Sequence, residues 1–129
     1  MPHGAALKPM NTPGYRAGDW VIVSGQTGRI GETLVSDEFA AQFRQCLVNV
    51  DSILAGQGIG RRSIAKVNIY LRRMADREQM NHLYGDFFGD HLPARTTVGV
   101  SELSRGALVE VEAWAYAPSP APPGRPQPA

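Results

Sequence analysis

The stretch "LVEVEAWAY", Leu108 to Tyr116, alternates between small apolar residues and acidic or aromatic ones. Residues of one parity are Val109, Val111, Ala113 and Ala115, and those of the other are Glu110, Glu112, Trp114 and Tyr116. This period of two predicts a β-strand with one apolar face and one mixed face. Two carboxylates beside aromatic rings are unusual on a central strand, because a buried carboxylate must be paired or partly protonated. The mixed face therefore predicts either a salt bridge or a functional site.

A second stretch, "LPARTTVGV" (Leu92 to Val100), places a charge of the opposite sign at the start of another predicted strand. One interpretation is structural, with Arg95, Arg72 or Lys66 forming a salt bridge to the glutamates of the last strand. The other is functional. An arginine fork binds a carboxylate through two hydrogen bonds, and a nearby glutamate can position and polarise a water molecule. Such a pocket suits a small carboxylic acid whose neighbouring carbon is attacked by water.

Other segments also predict strands or turns. "DWVIVSGQ" (Asp19 to Gln26) contains a β-branched run and predicts a buried strand, and "TGRIGETL" (Thr27 to Leu34) predicts a turn or short hairpin. His3 to Met10 is a candidate for a further short strand. "SIAKVNIYLRR" (Ser63 to Arg73) alternates as a strand does. The residues expected on its apolar face are Ala65, Val67, Ile69 and Leu71.

Two amphipathic helices are predicted. Ser36 to Gly58 has Ser36 as its expected N-cap and glycines at its end. Asp76 to His91 begins with Asp76 and Gln79 at capping-box spacing. Apolar residues recur at helical spacing in both segments. They are Phe39, Phe43, Leu47, Val50 and Leu54 in the first helix, and Met80, Leu83, Tyr84, Phe87 and Phe88 in the second.

The order of the elements, roughly β-β-β-α-β-α-β-β, predicts an α+β fold with both helices on one face of a single sheet. A half-apolar second face predicts burial against another subunit. The length of 129 residues favours one domain, residues 1–117. The remainder, "PSPAPPGRPQPA" (Pro118 to Ala129), contains six prolines in twelve residues. We expect it to be a disordered tail, with a proline-rich ligand role as the alternative.

Composition and spacing argue against several functions. The net charge is +1, so nothing predicts a nucleic-acid or membrane partner. No signal segment and no apolar run of roughly 20 residues is present, so a cytoplasmic protein is expected. The single cysteine, Cys46, excludes an intrachain disulfide and is expected to be buried. "GQGIGR" (Gly56 to Arg61) follows a helix and predicts a C-cap, not a dinucleotide loop. His3, His82 and His91 lack metal-ligand spacing and are expected at the surface.

Taken together, these segments resemble the RidA/YjgF family of reactive-intermediate deaminases over roughly residues 13–117. The more specific part of the resemblance is "PAR" (Pro93 to Arg95) followed by "VEVEA" (Val109 to Ala113). The other matching segments are "VSGQ" (Val23 to Gln26), "FRQCLVNVDSILAGQG" (Phe43 to Gly58), "VNIYL" (Val67 to Leu71) and "MNHLYGDFF" (Met80 to Phe88).

The resemblance implies a chorismate-mutase-like α+β fold, in which a mixed sheet carries two helices on one face. It also implies a homotrimer in which the other faces form a barrel, with clefts between subunits. The implied reaction is the hydrolytic deamination of small 2-imino (enamine) carboxylic acids, such as 2-aminoacrylate/2-iminopropanoate. The products are a 2-keto acid and ammonia, and neither a cofactor nor a metal is used.

The resemblance further implies roles for individual residues. Arg95 corresponds to the arginine that binds the substrate carboxylate, and Glu110 corresponds to the glutamate that orients the attacking water. Thr97 stands where well-studied imine deaminases carry cysteine, and the segment between Tyr15 and Ser24 is shorter than in those members. The residues expected to line the cleft are Tyr15, Ser24, Gly25, Asn81 and Thr97.

Three alternatives stay open at this point. One is deamination of a specialised substrate, such as an aminomuconate-type ring-cleavage product. Another is a non-catalytic role, in which the cleft binds small metabolites or supports a chaperone-like interaction. The third is endoribonuclease activity, against which the near-neutral charge and the lack of an arginine–aromatic stripe argue.

Overall fold

A computed structural model describes residues 10–118 as a five-stranded sheet with two helices and a separate two-stranded hairpin. This arrangement confirms the predicted α+β class. The strands of the sheet are β1 (Gly14–Ala17), β2 (Trp20–Thr27), β5 (Ile64–Leu71), β6 (Ala94–Gly99) and β7 (Val109–Tyr116). The hairpin is β3 (Arg29–Ile30) with β4 (Thr33–Leu34), and the helices are α1 (Phe39–Gly56) and α2 (Arg77–Phe88).

The strand order is β1-β2-β7-β5-β6, so the acidic strand β7 lies at the centre of the sheet. All neighbours are antiparallel except β5 and β6, which are parallel. A parallel pair needs a crossover connection, and α2 supplies it. The sheet is therefore mixed, as the family resemblance implies.

Both helices pack on the same face of the sheet and form one hydrophobic core with it. The parity predicted for β7 is confirmed, because Val109, Val111, Ala113 and Ala115 are buried in this core. The helical stripes are also confirmed. Their buried members are Phe39, Phe43, Leu47, Val50 and Leu54 from α1, and Met80, Leu83, Tyr84 and Phe88 from α2.

The predicted start of α1 is wrong, whereas that of α2 is confirmed without its capping box. Helix α1 begins at Phe39 with Glu38 as its N-cap, because the Ser36 hydroxyl accepts the amide of Glu38 at 3.0 Å in a turn before the helix. Asp76 occupies the N-cap position of α2 but makes no capping hydrogen bond to the backbone. Its carboxylate instead accepts a hydrogen bond from Arg73 Nε at 3.0 Å, so no capping box forms.

Two strand predictions also need correction. Ala65 is exposed because the pairing of β5 with β7 shifts between Ile64 and Lys66, and Ile64 takes the buried position instead. Strand β1 was not predicted. The strand expected within residues 3–10 lies outside the described residues except for Met10, which is exposed in a bend. The expected disorder of residues 118–129 lies outside them except for Pro118.

The second face of the sheet carries no helix and presents aromatic side chains. Trp20 makes edge contacts with Trp114 and Tyr116, at centroid distances of 6.5 and 5.2 Å. All three are more than a third exposed. We call this surface the open face. Its apolar exposure agrees with the predicted burial against another subunit, which stays a prediction. Over residues 10–118, no helix is both long and apolar enough to span a membrane.

Candidate active site

Glu110 lies on β7 beside a bulge in the neighbouring strand β2. Strand β7 pairs with Val23 and then with Gln26, and its register skips Ser24 and Gly25. Bulges of this kind often occur next to functional sites, because they redirect the backbone out of the regular ladder. The local sequence Ser-Gly therefore has a structural role that its polarity pattern alone does not indicate.

The bulge is anchored by the segment that precedes β1. The Ser24 amide donates to the carbonyl of Pro13 at 2.8 Å, and the Ser24 hydroxyl donates to the carbonyl of Thr12 at 2.6 Å. Gly25 then approaches the carboxylate of Glu110 so closely that a Cβ atom there would lie 2.5 Å from Oε2. We call Ser24, Gly25 and Glu110 the glutamate cluster.

Glu110 lines a cavity of about 470 Å³ whose wall is mainly polar. Across this cavity, Arg105 forms an ion pair with Glu32 of the β3–β4 turn, with 2.6 Å between Nη2 and Oε2. Arg105 has a φ of 63°, an uncommon left-handed conformation for a residue with a side chain. Arg29 supplies a second guanidinium to the wall and donates to the carbonyl of Gly31 at 2.8 Å. The cavity therefore presents both signs of charge.

Glu110 has no hydrogen-bond or ion-pair partner for its carboxylate within residues 10–118. Burial raises its pKa above the ordinary value for glutamate, and the charge of Glu112 raises that pKa further. Glu112 itself accepts a hydrogen bond from the phenol of Tyr70. A carboxylate with a raised pKa on a cavity wall is a candidate general base. The hydroxyl of Thr27, a buried polar atom without a partner, lies on the same wall.

A second group of polar residues lies between α2 and β6. The guanidinium carbon of Arg95 lies 4.8 Å from the centroid of the Tyr84 ring, which is within the range of a cation–π contact. Thr97 follows on the same face of β6, and Asn81 precedes Tyr84 by three residues on α2. We call Asn81, Tyr84, Arg95 and Thr97 the arginine cluster.

Three atoms of the arginine cluster are buried without a hydrogen-bond partner: Asn81 Oδ1, Tyr84 Oη and Thr97 Oγ1. Such atoms are uncommon in folded proteins, because leaving them unpaired costs free energy. Burial raises the pKa of the Tyr84 phenol, and the charge of Arg95 acts in the opposite direction. The cluster is therefore a candidate for binding a polar or anionic ligand.

The two clusters do not meet within one chain. Arg95 pairs with Val67, which faces the core, whereas Glu110 pairs with Tyr70 on the opposite face of the sheet. A single pocket containing both residues is therefore not formed by one subunit. The alternative interpretation as a salt bridge within the chain is wrong, because the ion pairs found in residues 10–118 include neither Glu110 nor Glu112. The functional interpretation stays a prediction.

Tyr15 belongs to neither cluster within the chain. It lies on β1 opposite Ile22, which pairs in turn with Trp114, so Tyr15 belongs to the open face. Its residue is 60% exposed, and it does not line the Glu110 cavity. Only a neighbouring subunit could bring its phenol into a cleft with Arg95.

Tyr70 and Arg105 are functional candidates that were not identified from the sequence. Tyr70 lies on the polar face of β5, and the alternation of the β5 sequence already placed it there. The pairing of Arg105 with Glu32 had no such signal, because the two residues lie 73 positions apart in the chain.

The remaining candidate residues lie elsewhere. Cys46 is buried, as expected, with its Sγ 3.8 Å from the carbonyl of Val109. His82 is exposed, as expected, but His91 is half-buried and its Nε2 lies 2.9 Å from the carbonyl of Ile64. His3 lies outside the described residues. Within residues 10–118, no group of three or more His, Cys, Asp or Glu side chains is placed to hold a metal ion.

Known proteins resemble this chain in sequence and in fold. A RutC family protein of Pyrococcus horikoshii is 38% identical over 116 residues, which cover 86% of this chain and 91% of the relative. A Salmonella typhimurium protein named 2-iminobutanoate/2-iminopropanoate deaminase is 34% identical over 115 residues, covering 86% and 89%. A Rid family protein of unknown function from Yersinia pestis superimposes with a TM-score of 0.81 at 33% identity, covering 88% and 91%.

The fold thus defines an α+β protein of the YjgF type. The family model described as endoribonuclease L-PSP matches residues 4–117, which is nearly the whole chain. The chain therefore belongs to this family, which includes the RidA/YjgF proteins.

Proposed function

We propose that this chain catalyses the hydrolytic deamination of small 2-imino carboxylic acids, or of their enamine tautomers, to 2-keto acids and ammonia. The observation that carries this proposal is the half-buried carboxylate of Glu110, which has a raised pKa and lines a polar cavity. A relative that shares 34% of its residues carries the name of such a deaminase, which supports the reaction class.

We further propose a homotrimer in which the arginine cluster of one subunit faces the glutamate cluster of the next. Each cluster has what the other lacks, since one supplies a guanidinium and the other supplies a carboxylate. Their positions on opposite faces of the sheet favour a cleft built from two copies of the chain. The exposed Trp20, Trp114 and Tyr116 of the open face supply apolar surface for such an assembly.

The chemistry assigned to each residue follows from its charge and position. Arg95 would bind the substrate carboxylate through two hydrogen bonds and so fix the adjacent imine carbon. Glu110 would hold a water molecule against that carbon and accept a proton as the new C–O bond forms. Returning this proton to nitrogen gives a carbinolamine. Glu110 then takes the hydroxyl proton of the carbinolamine and passes it to the amino nitrogen, so that the C–N bond breaks, ammonia leaves and the keto group forms. Positioning and fixed charges suffice for this reaction, because it requires no redox step.

A competition assay tests the proposal directly. An amino-acid oxidase generates 2-iminopropanoate from alanine, semicarbazide traps the imine, and the purified chain is added. We expect the wild type to slow semicarbazone formation and Arg95→Ala to lose this effect while keeping its circular dichroism spectrum. Arg77→Ala, which removes an exposed arginine at the start of α2, serves as the matched control and should behave as wild type.

Equal deamination by wild type and Arg95→Ala would contradict the assigned role of Arg95. A wild type that binds 2-keto acids tightly but fails to turn over a panel of imines would contradict the proposed reaction. It would favour the non-catalytic role of small-metabolite binding instead.

A specialised dicarboxylate substrate, such as an aminomuconate-type intermediate, is the second candidate. The observation that favours it is the presence of Arg29 and Arg105 on the wall of the Glu110 cavity, where they could receive a second carboxylate. A chain specific for such substrates should turn over six-carbon imino dicarboxylates faster than 2-iminopropanoate. Arg29→Ala should then slow only the dicarboxylate reaction.

A further inference from the structure

Tyr70 and Glu112 form a hydrogen-bonded pair beside Glu110 on the open face. Tyr70 stands directly opposite Glu110 in the register of β5 and β7, and Asn68 stands opposite Glu112. The Tyr70 side chain therefore crosses the ladder diagonally, so that its hydroxyl donates to Glu112 Oε1. This phenol links the cross-strand neighbour of Glu110 to the second carboxylate of the same strand.

The phenol of this pair is neutral and acts as a hydrogen-bond donor. The hydrogen bond to Glu112 raises the pKa of Tyr70 to about 12, with burial as the next cause, so the phenol keeps its proton at neutral pH. An O–H group that donates to a carboxylate stabilises the ionised form of that carboxylate. Lys66, the cation of β5, donates to Thr96 Oγ1 at 2.7 Å, and Arg72, which follows β5, donates to the carbonyl of Gly106 at 3.4 Å. Tyr70 is therefore a neutral hydrogen-bond donor to the carboxylate of Glu112.

Several other titratable or charged groups surround Glu110, but Glu112 is the charged neighbour on the same strand. Helix α1 contributes Cys46, whose thiol has a pKa raised mainly by burial and secondarily by the charge of Glu110. The β3–β4 hairpin contributes Arg29 and Glu32, and the loop before β7 contributes Arg105. Glu32 and Arg105 form an ion pair with each other.

We propose that the Tyr70–Glu112 pair is a positioning element that holds the Glu112 carboxylate beside Glu110 and thereby makes Glu110 the carboxylate that exchanges protons during imine hydrolysis. This inference rests on the proposed function. Glu110 accepts one proton from water as the C–O bond forms and returns it to nitrogen, which gives a carbinolamine. It then carries the hydroxyl proton of the carbinolamine to the amino nitrogen as the C–N bond breaks. No proton is gained or lost by Tyr70 or Glu112, and no co-reactant is needed.

The pair separates the roles of two carboxylates that lie two residues apart. Glu112 accepts the hydrogen bond of Tyr70, and the charge of Glu112 helps to make Glu110 a stronger base than an ordinary glutamate. A stronger base removes a proton from water more readily in the transition state. Phenylalanine at position 70 would fill the same space without donating a hydrogen bond, so the donor can be tested separately from the packing.

The first test needs no substrate. The side-chain carboxyl carbons of ¹³C-labelled glutamates are followed by NMR against pH in wild type, Glu112→Gln and Tyr70→Phe, and Glu110→Gln assigns the signal. We expect the midpoint of Glu110 to move to lower pH in Glu112→Gln. In Tyr70→Phe, the midpoint of Glu110 should also move, because the donor that orients the Glu112 carboxylate is lost. An unchanged Glu110 midpoint in Glu112→Gln would overturn the proposal.

The second test uses catalysis of 2-iminopropanoate hydrolysis. In Glu112→Gln, the acidic limb of the kcat profile should shift to lower pH, and kcat at neutral pH should fall within roughly tenfold, with KM little changed. Glu102→Gln removes an exposed carboxylate from the loop before β7 and should change neither value. A merely structural role for the pair would lower activity without moving the profile, and that result would also overturn the proposal.

The two tests separate failure of this inference from failure of the proposed function. A wild type without deaminase activity contradicts the proposed function and with it this inference, even where the NMR titration shows the coupling. The wild type can be active while the titration midpoint of Glu110 is the same in Glu112→Gln, Tyr70→Phe and wild type. That result leaves the proposed function intact and contradicts the Tyr70–Glu112 inference alone.

Discussion

At the scale of single residues, Gly25 and Arg95 show how the candidate site is held. Gly25 gives the Glu110 carboxylate room to pack against the backbone of the bulge. The guanidinium of Arg95 lies over the ring of Tyr84. This contact orients the guanidinium without neutralising its charge. In each case a neighbour from another element, Gly25 for Glu110 and Tyr84 for Arg95, orients the charged side chain. Substitutions at these neighbours should therefore alter activity more than stability.

The first prediction concerns Gly25→Ala. The added methyl group would overlap with the Glu110 carboxylate, which is the far end of a flexible side chain and can move away. We expect a loss of roughly 100-fold in kcat/KM, because a shift of about 1 Å in a catalytic group has effects of that size. The thermal midpoint should change little. Gly56→Ala, where an added methyl group meets no atom within 4 Å, is the matched control.

A second prediction concerns the pH dependence of stability. Glu110 has a raised pKa in the folded chain, so the folded state binds a proton more tightly than the unfolded state does. Its contribution to stability is therefore lost as pH rises from the ordinary glutamate pKa through the folded value. Glu110→Gln removes this loss, so its melting temperature should exceed that of wild type at neutral pH and approach it in acid. A lower melting temperature at neutral pH would show that the carboxylate is stabilising.

At the scale of elements, the periodicity of the sequence predicted which faces of the strands and helices are buried. It did not predict the features that depend on hydrogen bonds to the backbone. The apolar parity of β7 and the stripes of both helices followed from the sequence, because one face of each element packs on the core. The bulge at Ser24 and Gly25 did not follow from the sequence, because hydrogen bonds from Ser24 to the carbonyls of Thr12 and Pro13 anchor it. The Ser36 cap failed for a similar reason, since a local turn uses its hydroxyl.

The same scale explains why only part of the site could be predicted. A charge within an apolar pattern marks Glu110 and Arg95 in the sequence, and family resemblance added their roles. The faces on which they lie depend on strand register, and the register of β6 against β5 depends on the length of the α2 crossover. Tyr70 and Arg105 lie near the site through pairings that no local pattern indicates.

A third prediction concerns Gln42, which connects helix α1 to two other segments. It is buried, its Nε2 donates to the carbonyl of Ser36 at 2.9 Å, and its Oε1 accepts the amide of Leu108 at 2.8 Å. Gln42→Ala leaves both backbone groups without these partners, which should cost about 2–3 kcal/mol in the free energy of unfolding. Urea denaturation at a fixed protein concentration measures it. Gln45→Ala, which removes only a bond to Asn49, should cost less than half as much.

At the scale of the whole molecule, the two faces of the sheet carry the two candidate clusters. The helix-covered face positions Arg95 at its edge, and the open face positions Glu110 beside exposed aromatic residues. The sequence indicated a two-faced sheet through the mixed pattern of β5 and β7. It could not show that the two charges lie apart, since that result depends on all five strands being assembled. The central claim is therefore that two subunits complete each site.

Subunit mixing tests this claim most directly. Arg95→Ala and Glu110→Gln are each expected to be inactive, so they are denatured together in equal amounts, refolded and assayed with 2-iminopropanoate. If each cleft takes Arg95 from one subunit and Glu110 from another, random mixing should restore about a quarter of the wild-type activity. Wild type treated in the same way provides the reference, and the double variant mixed with itself provides the baseline. A mixture that stays inactive while refolded wild type recovers would contradict the shared site.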